Sequence, residues 1–197
     1  NSLGPSVEQK YIEELYQKLN VLRKDDILVL SGSIPKGINE DIYETICKKI
    51  KDKDVKIVVD STNDLLLNTL KYKPFLIKPN HHELGQIFNT KITNQEQAIE
   101  YAKKLKQKGA KNVLVSMGSG GSILLDENGK SYKKEAIQNK NVKNTVGAGD
   151  SMVAGFLAGY LKYQNYEDAL HLAISSATAT VNSVYLGTKD KIIEYFN

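Results

Sequence analysis

Between Asn144 and Leu157 the chain reads Asn-Thr-Val-Gly-Ala-Gly-Asp-Ser-Met-Val-Ala-Gly-Phe-Leu. Gly147-Ala148-Gly149 is a small-residue loop that runs straight into an apolar pattern of helical spacing. Met152, Val153, Phe156, Leu157 and Tyr160 fall on one face of that helix. Glycine lets backbone approach a ligand with no Cβ in the way. The unsatisfied N–H groups of a helix start then favour a negative ligand such as a phosphate. Asp150 stands at the junction. The helix dipole stabilises a carboxylate there in its charged form, and such a group can accept a proton from a hydroxyl. The same residues also fit a plain helix N-cap after a glycine turn.

Four further stretches could do related work. Lys78-Pro79-Asn80-His81-His82-Glu83 places an amide and a carboxylate three apart at a helix start. Glu83 suits the water shell of Mg²⁺, a hard cation that takes oxygen ligands. The pair equally fits a capping box. His81 and His82 are adjacent, so a helix would not turn both to one side, and zinc is not expected. Ser116-Met117-Gly118-Ser119-Gly120-Gly121 is a flexible turn after an apolar run. It is neither G-x-G-x-x-G, since Ile123 stands at the last position, nor a Walker loop. Ser31-Gly32-Ser33-Ile34-Pro35-Lys36-Gly37 follows another apolar run and is also readable as a Pro-Gly turn. Asp60-Ser61 closes a β-branched run, and Asn182 lies on a helical stretch where a core-facing amide is the plain reading.

The elements that must carry these groups alternate. Helical spacing covers 7–20, 38–50, 65–72, 83–88, 95–108, 149–162, 166–184 and 189–196. Short apolar or β-branched runs at 27–30, 55–59, 75–78, 113–115 and 122–126 read as strands. Asn128-Gly129 predicts a two-residue hairpin leading to a strand at 131–134. Alternation of this kind predicts an α/β fold with a mostly parallel sheet and helices on both faces. Ligands then sit beyond the carboxyl ends of the strands, which is where the five motifs fall. With no repeat or linker, 1–197 reads as a single α/β domain.

Composition narrows the classes. Charged residues make up 25% of the chain and apolar ones 41%, as in ordinary globular proteins. The net charge of +4 is almost wholly lysine, with Arg23 the sole arginine. Nucleic-acid readers rely on arginine forks, so no nucleic-acid partner is expected. Cys47 is the single cysteine, which excludes an internal disulfide and suggests a reducing, cytoplasmic setting. No run approaches the about 20 apolar residues of a membrane span, so no membrane partner is expected.

The Asn144–Gly155 stretch resembles the second signature of the PfkB (ribokinase-like) family of sugar kinases. Asn144, Thr145, Gly147, Ala148, Gly149, Asp150, Ala154 and Gly155 fill its slots. The resemblance implies a ribokinase-like three-layer αβα fold, ATP and Mg²⁺ as cofactors, and a phosphorylated ketohexose as partner. It makes Gly147, Ala148 and Gly149 the anion hole and Asp150 the base and a substrate contact. Asn80 and Glu83 match the family's N-x-x-E motif, tied to magnesium and phosphate, and Lys78 matches the lysine beside the nucleotide. Ser116, Gly118 and Gly121 fit the turn that borders ATP, together with Met117, Ser119 and Gly120. Ser31, Gly32 and Ser33 resemble the sugar-phosphate loop. Asp60 matches less well, because Asn63 stands where Gly is common. Asn182 would lie by the adenine.

The resemblance runs from Gly4 to Gly187. The opening Asn-Ser-Leu-Gly-Pro is similar to the segment after the lid strands in the 1-phosphofructokinase and tagatose-6-phosphate kinase branch. It implies that the N-terminal part and lid are missing, that the fragment alone is inactive with exposed sheet edges, and that the full-length protein is a homodimer. A non-catalytic sugar- or nucleotide-binding regulator on the same fold is the alternative. A dinucleotide oxidoreductase lacks its fingerprint.

Overall fold

The computed structural model describes residues 6–138 and 142–197. The opening Asn-Ser-Leu-Gly-Pro therefore lies outside the described residues. Contacts group the chain into two compact units. The first holds the described residues up to Ile77 with Leu105–Asn112, and the second holds Lys78–Lys104 with Val113–Asn197.

The first unit runs α1 (Gln9–Lys18), β1 (Ile27–Ser31), α2 (Ile42–Ile50), β2 (Lys56–Asp60), α3 (Asn63–Leu67) and β3 (Leu76–Ile77). β1 pairs with β2 in parallel, Ser31 opposite Asp60, and β2 pairs with β3 in parallel. Parallel strands need crossovers, and α2 and α3 supply them. Ile57, Val58 and Val59 are buried, as expected of a strand covered on both faces. α2 buries Ile42, Tyr43, Ile46, Cys47 and Ile50. Burial pushes the Cys47 thiol up to about 12, so it behaves as a small apolar core group. The helix expected over 65–72 divides into α3 and a 3-10 turn at Leu70–Tyr72. Lys73 ends that turn in the left-handed region.

The second unit contains α4 (His81–Ile87), most of α5 (Gln95–Gln107) and of β4 (Asn112–Ser116), then β5 (Ser122–Leu125) and β6 (Ser131–Lys134). It ends with α6 (Ala148–Tyr163), α7 (Tyr166–Val181) and α8 (Lys189–Phe196). β4, β5 and β6 form an antiparallel meander. The expected two-residue hairpin turn is instead a three-residue loop. Asp126 N–H donates to Lys130 O at 2.9 Å, enclosing Glu127, Asn128 and Gly129. Gly129 alone of the three has positive φ, +86°, which suits a turn followed by a bulge rather than the doubly left-handed turn Asn-Gly favours. The buried Asp126 carboxylate selects this loop by accepting from Asn128 N–H and Lys130 N–H.

α6 and α7 pack as an antiparallel pair joined by a short connection. A Cβ on Gly155 would come within 2.4 Å of Ser176 Oγ, and one on Gly159 within 2.7 Å of Ala169 Cα. The helices therefore meet nearly backbone to backbone. The small residue at Gly155 answers to this packing and not to a ligand. Phe156 is fully buried beside them, and Tyr160 and Tyr166 extend the cluster.

Candidate functional site

The second unit contains most of the expected site residues, and it brings Lys78 to the start of α6. Gly147 is the N-cap, with φ +80°. A Cβ there would also meet Leu186 Cδ2 at 2.8 Å, but that is the tip of an exposed side chain that can swing away, so it is the backbone conformation that requires glycine. The approach is fixed by Asn144 Oδ1, which accepts from Val146 N–H at 3.0 Å, and by Val181 O, which accepts from Lys143 and Asn144 N–H. Ala148, Gly149 and Asp150 form the first turn, with Gly149 and Asp150 exposed. The opening N–H groups of a helix have no partner within it. At this end, which carries the Asp150 carboxylate, Ala148 N–H donates weakly to Thr145 O at 3.3 Å.

Lys78 is only 5% exposed. A Cβ on Gly149 would lie 3.3 Å from its Nζ. The structure thus sets an ammonium against the glycine loop, from a residue 71 positions away by the numbering. Asn80 caps α4. Its Oδ1 accepts from His82 N–H and Glu83 N–H, both at 2.9 Å, and Glu83 Oε2 accepts from Asn80 N–H at 2.8 Å. This is a complete capping box, so the plain reading of the pair is realised. It does not exhaust Glu83: among the described residues its Oε1 accepts no hydrogen bond, and a hydrated cation could use it. Among the described residues no group of three or more His, Cys, Asp or Glu could hold a metal ion. One carboxylate is nevertheless compatible with Mg²⁺, which retains waters and takes its other ligands from phosphates. The rings of His81 and His82 lie 3.9 Å apart, tilted by 37°. They are side by side, contrary to expectation, because His81 is the first residue of the helix.

Ser116 ends β4 and bridges Asn80 in parallel, with its N–H donating to Pro79 O at 3.3 Å. The Lys-Pro-Asn run and the Gly-rich turn are therefore neighbours. Gly118–Gly120 form a 3-10 turn closed by Met117 N–H to Gly121 O at 2.9 Å. A Cβ on Gly121 would strike Lys134 O at 2.2 Å, whereas one on Gly118 would meet nothing within 4 Å. Gly121 is needed for packing, and Gly118 leaves an open face. Gln95 Nε2 props the turn by donating to Gly120 O and Lys134 O. No local pattern signalled Gln95, which acts across 25 positions. An open cavity of about 780 Å³ borders His81, His82, Gln86, Lys91, Met117 and Gly120. Asp150 and Gly147 do not line it.

Asn182 caps the end of α7 and is 7% exposed. Its Nδ2 donates to Tyr195 Oη at 2.6 Å, while its Oδ1 is buried with no hydrogen-bond partner among the described residues. A buried acceptor left so is costly, and a bound N–H donor would satisfy it. Exposed apolar side chains stand nearby in sequence: Val184, Tyr185 and Leu186, with Val146 (77% exposed) preceding Gly147. Thr180 Oγ1 pairs with Ser151 Oγ at 2.7 Å and accepts from Gly187 N–H at 2.9 Å. It ties the first turn of α6 to the segment after α7. These residues escaped sequence reading, since a lone Val, Leu or Thr carries no signal.

Ser31, Gly32 and Ser33 belong to the first unit, at the carboxyl ends of β1 and β2 with Asp60. Gly32 N–H donates to Asp60 O at 3.1 Å, and Tyr43 Oη donates to Gly32 O at 3.1 Å. Ser61 is 6% exposed and its Oγ has no hydrogen-bond partner among the described residues.

Comparison with known proteins shows the family and the fold. Residues 3–192 match the family described as pfkB family carbohydrate kinase. A 1-phosphofructokinase of Bacillus subtilis is 41% identical over 96% of this chain and 62% of its own length. A tagatose-6-phosphate kinase of Staphylococcus epidermidis is 38% identical over 86% of this chain and 56% of its own. The phosphofructokinase-2 of Escherichia coli, solved in complex with substrates and products, superposes with a TM-score of 0.91 at 25% identity. That match covers all of this chain and 64% of the other. The chain thus spans less than two thirds of these relatives. The fold is the ribokinase-like α/β fold.

Proposed function

The chain belongs to the pfkB family of carbohydrate kinases, and from that premise we propose that it forms, as one domain, the nucleotide-binding and base-bearing part of an ATP-dependent ketohexose-phosphate kinase. Fructose-1-phosphate, converted to fructose-1,6-bisphosphate, is the first substrate. Tagatose-6-phosphate is the second, because relatives carrying both names match. The observation that carries this reading is the Lys78 ammonium set against Gly149, in the turn that bears Asp150. Fixed positive charge, N–H donors and a carboxylate at one helix end are what phosphoryl transfer to a hydroxyl requires.

In this mechanism Asp150 takes the proton as the primary hydroxyl oxygen bonds to the γ-phosphorus. The bond from that phosphorus to the β–γ bridging oxygen breaks, and ADP leaves. The N–H groups of Gly147, Ala148 and Gly149, with Lys78, stabilise the charge on the transferring group. Asn80, Ser116 and the 117–121 turn hold the nucleotide, and the buried Asn182 Oδ1 accepts from its base. Glu83, with Asn80 beside it, would hold hydrated Mg²⁺, which neutralises charge on the β- and γ-phosphates. Ser31, Gly32 and Ser33 take the phosphate the sugar already carries. The lone buried cysteine supports a cytoplasmic setting, and the intact protein is proposed to be a homodimer.

ADP release from Mg·ATP is the test. It is measured with each sugar phosphate, for the chain itself and for a chimera that adds the N-terminal third of the B. subtilis relative. Turnover on fructose-1-phosphate is expected. Nucleotide binding without turnover on either sugar would favour a non-catalytic regulator.

A further inference from the structure

Tyr43 has no role in the site as built so far, yet its phenol reaches the middle of the Ser31–Ser33 loop. The residue is 9% exposed on the inner face of α2, and its Oη donates to Gly32 O at 3.1 Å. The neighbouring peptide is held separately, because Gly32 N–H donates to Asp60 O at 3.1 Å. Two successive peptide planes are thus fixed, one through the Gly32 N–H and one through the Gly32 carbonyl. Gly32 has φ +96°, and a Cβ there would meet nothing within 4 Å. The glycine is needed for the backbone conformation and not for room. A flexible residue held in that conformation needs anchors, and on the carbonyl side Tyr43 provides one.

The consequence follows from peptide geometry. A trans planar peptide points its N–H opposite to its C=O. The peptide whose carbonyl faces Tyr43 carries the Ser33 N–H on its other edge. We infer that Tyr43 is a positioning residue for the sugar substrate: by holding the Gly32 carbonyl it aims the Ser33 N–H, and with it the loop, at the phosphate the sugar already bears. This rests on the reading of Ser31–Ser33 as the sugar-phosphate loop. The phenol remains a neutral donor, since burial and the charge of Asp60 both raise its pKa above 10.0.

Tyr43→Phe removes the hydroxyl and keeps the ring, so α2 retains its packing. Amide exchange at Gly32 and Ser33 is expected to quicken about tenfold, and the Kd for inorganic phosphate, titrated through the Ser33 amide resonance, to rise about fivefold to tenfold. In whichever form of the protein turns over, KM for the sugar phosphate should rise by the same factor, with kcat and the KM for ATP unchanged. A merely structural role would move the melting temperature and both KM values together. Unaltered exchange and phosphate affinity in Tyr43→Phe would overturn the inference, as would an unaltered sugar KM. Failure of the unmodified protein to turn over either sugar phosphate would instead sink the kinase reading, while exchange and phosphate titration still judge Tyr43.

Discussion

Asp150 is the residue on which the proposed chemistry turns. It sits exposed in the first turn of α6, after a glycine whose left-handed backbone conformation disfavours any other residue. Replacement by Asn keeps size and polarity and removes the proton acceptor. We expect Asp150→Asn to lower kcat by about 100-fold or more, the order of a general base, with ATP affinity nearly unchanged. A variant within about threefold of the parent would end that role. The glycine turn and the helix start that carry Asp150 were legible in the sequence, because small residues in consecutive positions run straight into an apolar stripe of helical spacing. Lys78 was legible as a residue but not in its place. Only folding brings its ammonium to Gly149, and nothing local to either residue records the distance. Tyr43, Gln95 and Thr180 were illegible for the same reason, since they act through hydrogen bonds to backbone or hydroxyl groups that no local pattern records.

At the scale of elements, α4 shows how one motif can serve two ends. The Asn80–Glu83 capping box stabilises a helix of seven residues, which is too short to stand on propensity alone. Its carboxylate is also the proposed anchor for hydrated Mg²⁺. The two roles separate by substitution. Glu83→Gln keeps an acceptor for the Asn80 N–H but removes the charge. It should leave the melting temperature in place while raising the Mg²⁺ needed for half-maximal activity about tenfold or more. Asn80→Ala should instead cost about 1 kcal/mol of stability through the lost cap. A Mg²⁺ requirement unchanged in Glu83→Gln would leave Glu83 a cap and nothing else. The elements themselves were largely readable from periodicity, and the departures have local causes. Asp126 diverts the Asn-Gly turn by binding two backbone N–H groups. β3 is only Leu76–Ile77, and Pro79, which lacks an N–H, follows its carboxyl end.

Across the whole molecule the parallel strands β1–β3 and the antiparallel meander β4–β6 differ in kind. The alternation of helices and strands foretold the first and only partly the second, because Ser122–Leu125 is buried throughout and shows no period. Global stability should also carry a pH signature from His171. Burial lowers its pKa from 6.5, Lys134 adds to the effect, and Asp168 opposes it. Its ring also packs on Phe196. The native state then binds fewer protons than the unfolded chain just below the ordinary histidine value. The stabilisation is present above 6.5 and is lost as pH falls towards the lower folded value. The urea midpoint should therefore drop between about pH 7 and about pH 5, and His171→Gln should show a shallower drop. Identical slopes in the two proteins would remove His171 as the source.

The contact of α6 with α7 through Gly155 and Gly159 leaves α6, the helix proposed to face the phosphates, without a soft coordinate along its own axis. A ligand arriving at its amino end meets a post that is already seated. Little ordering entropy is charged against affinity there, and any motion that seals water from the reaction has to be made by other segments.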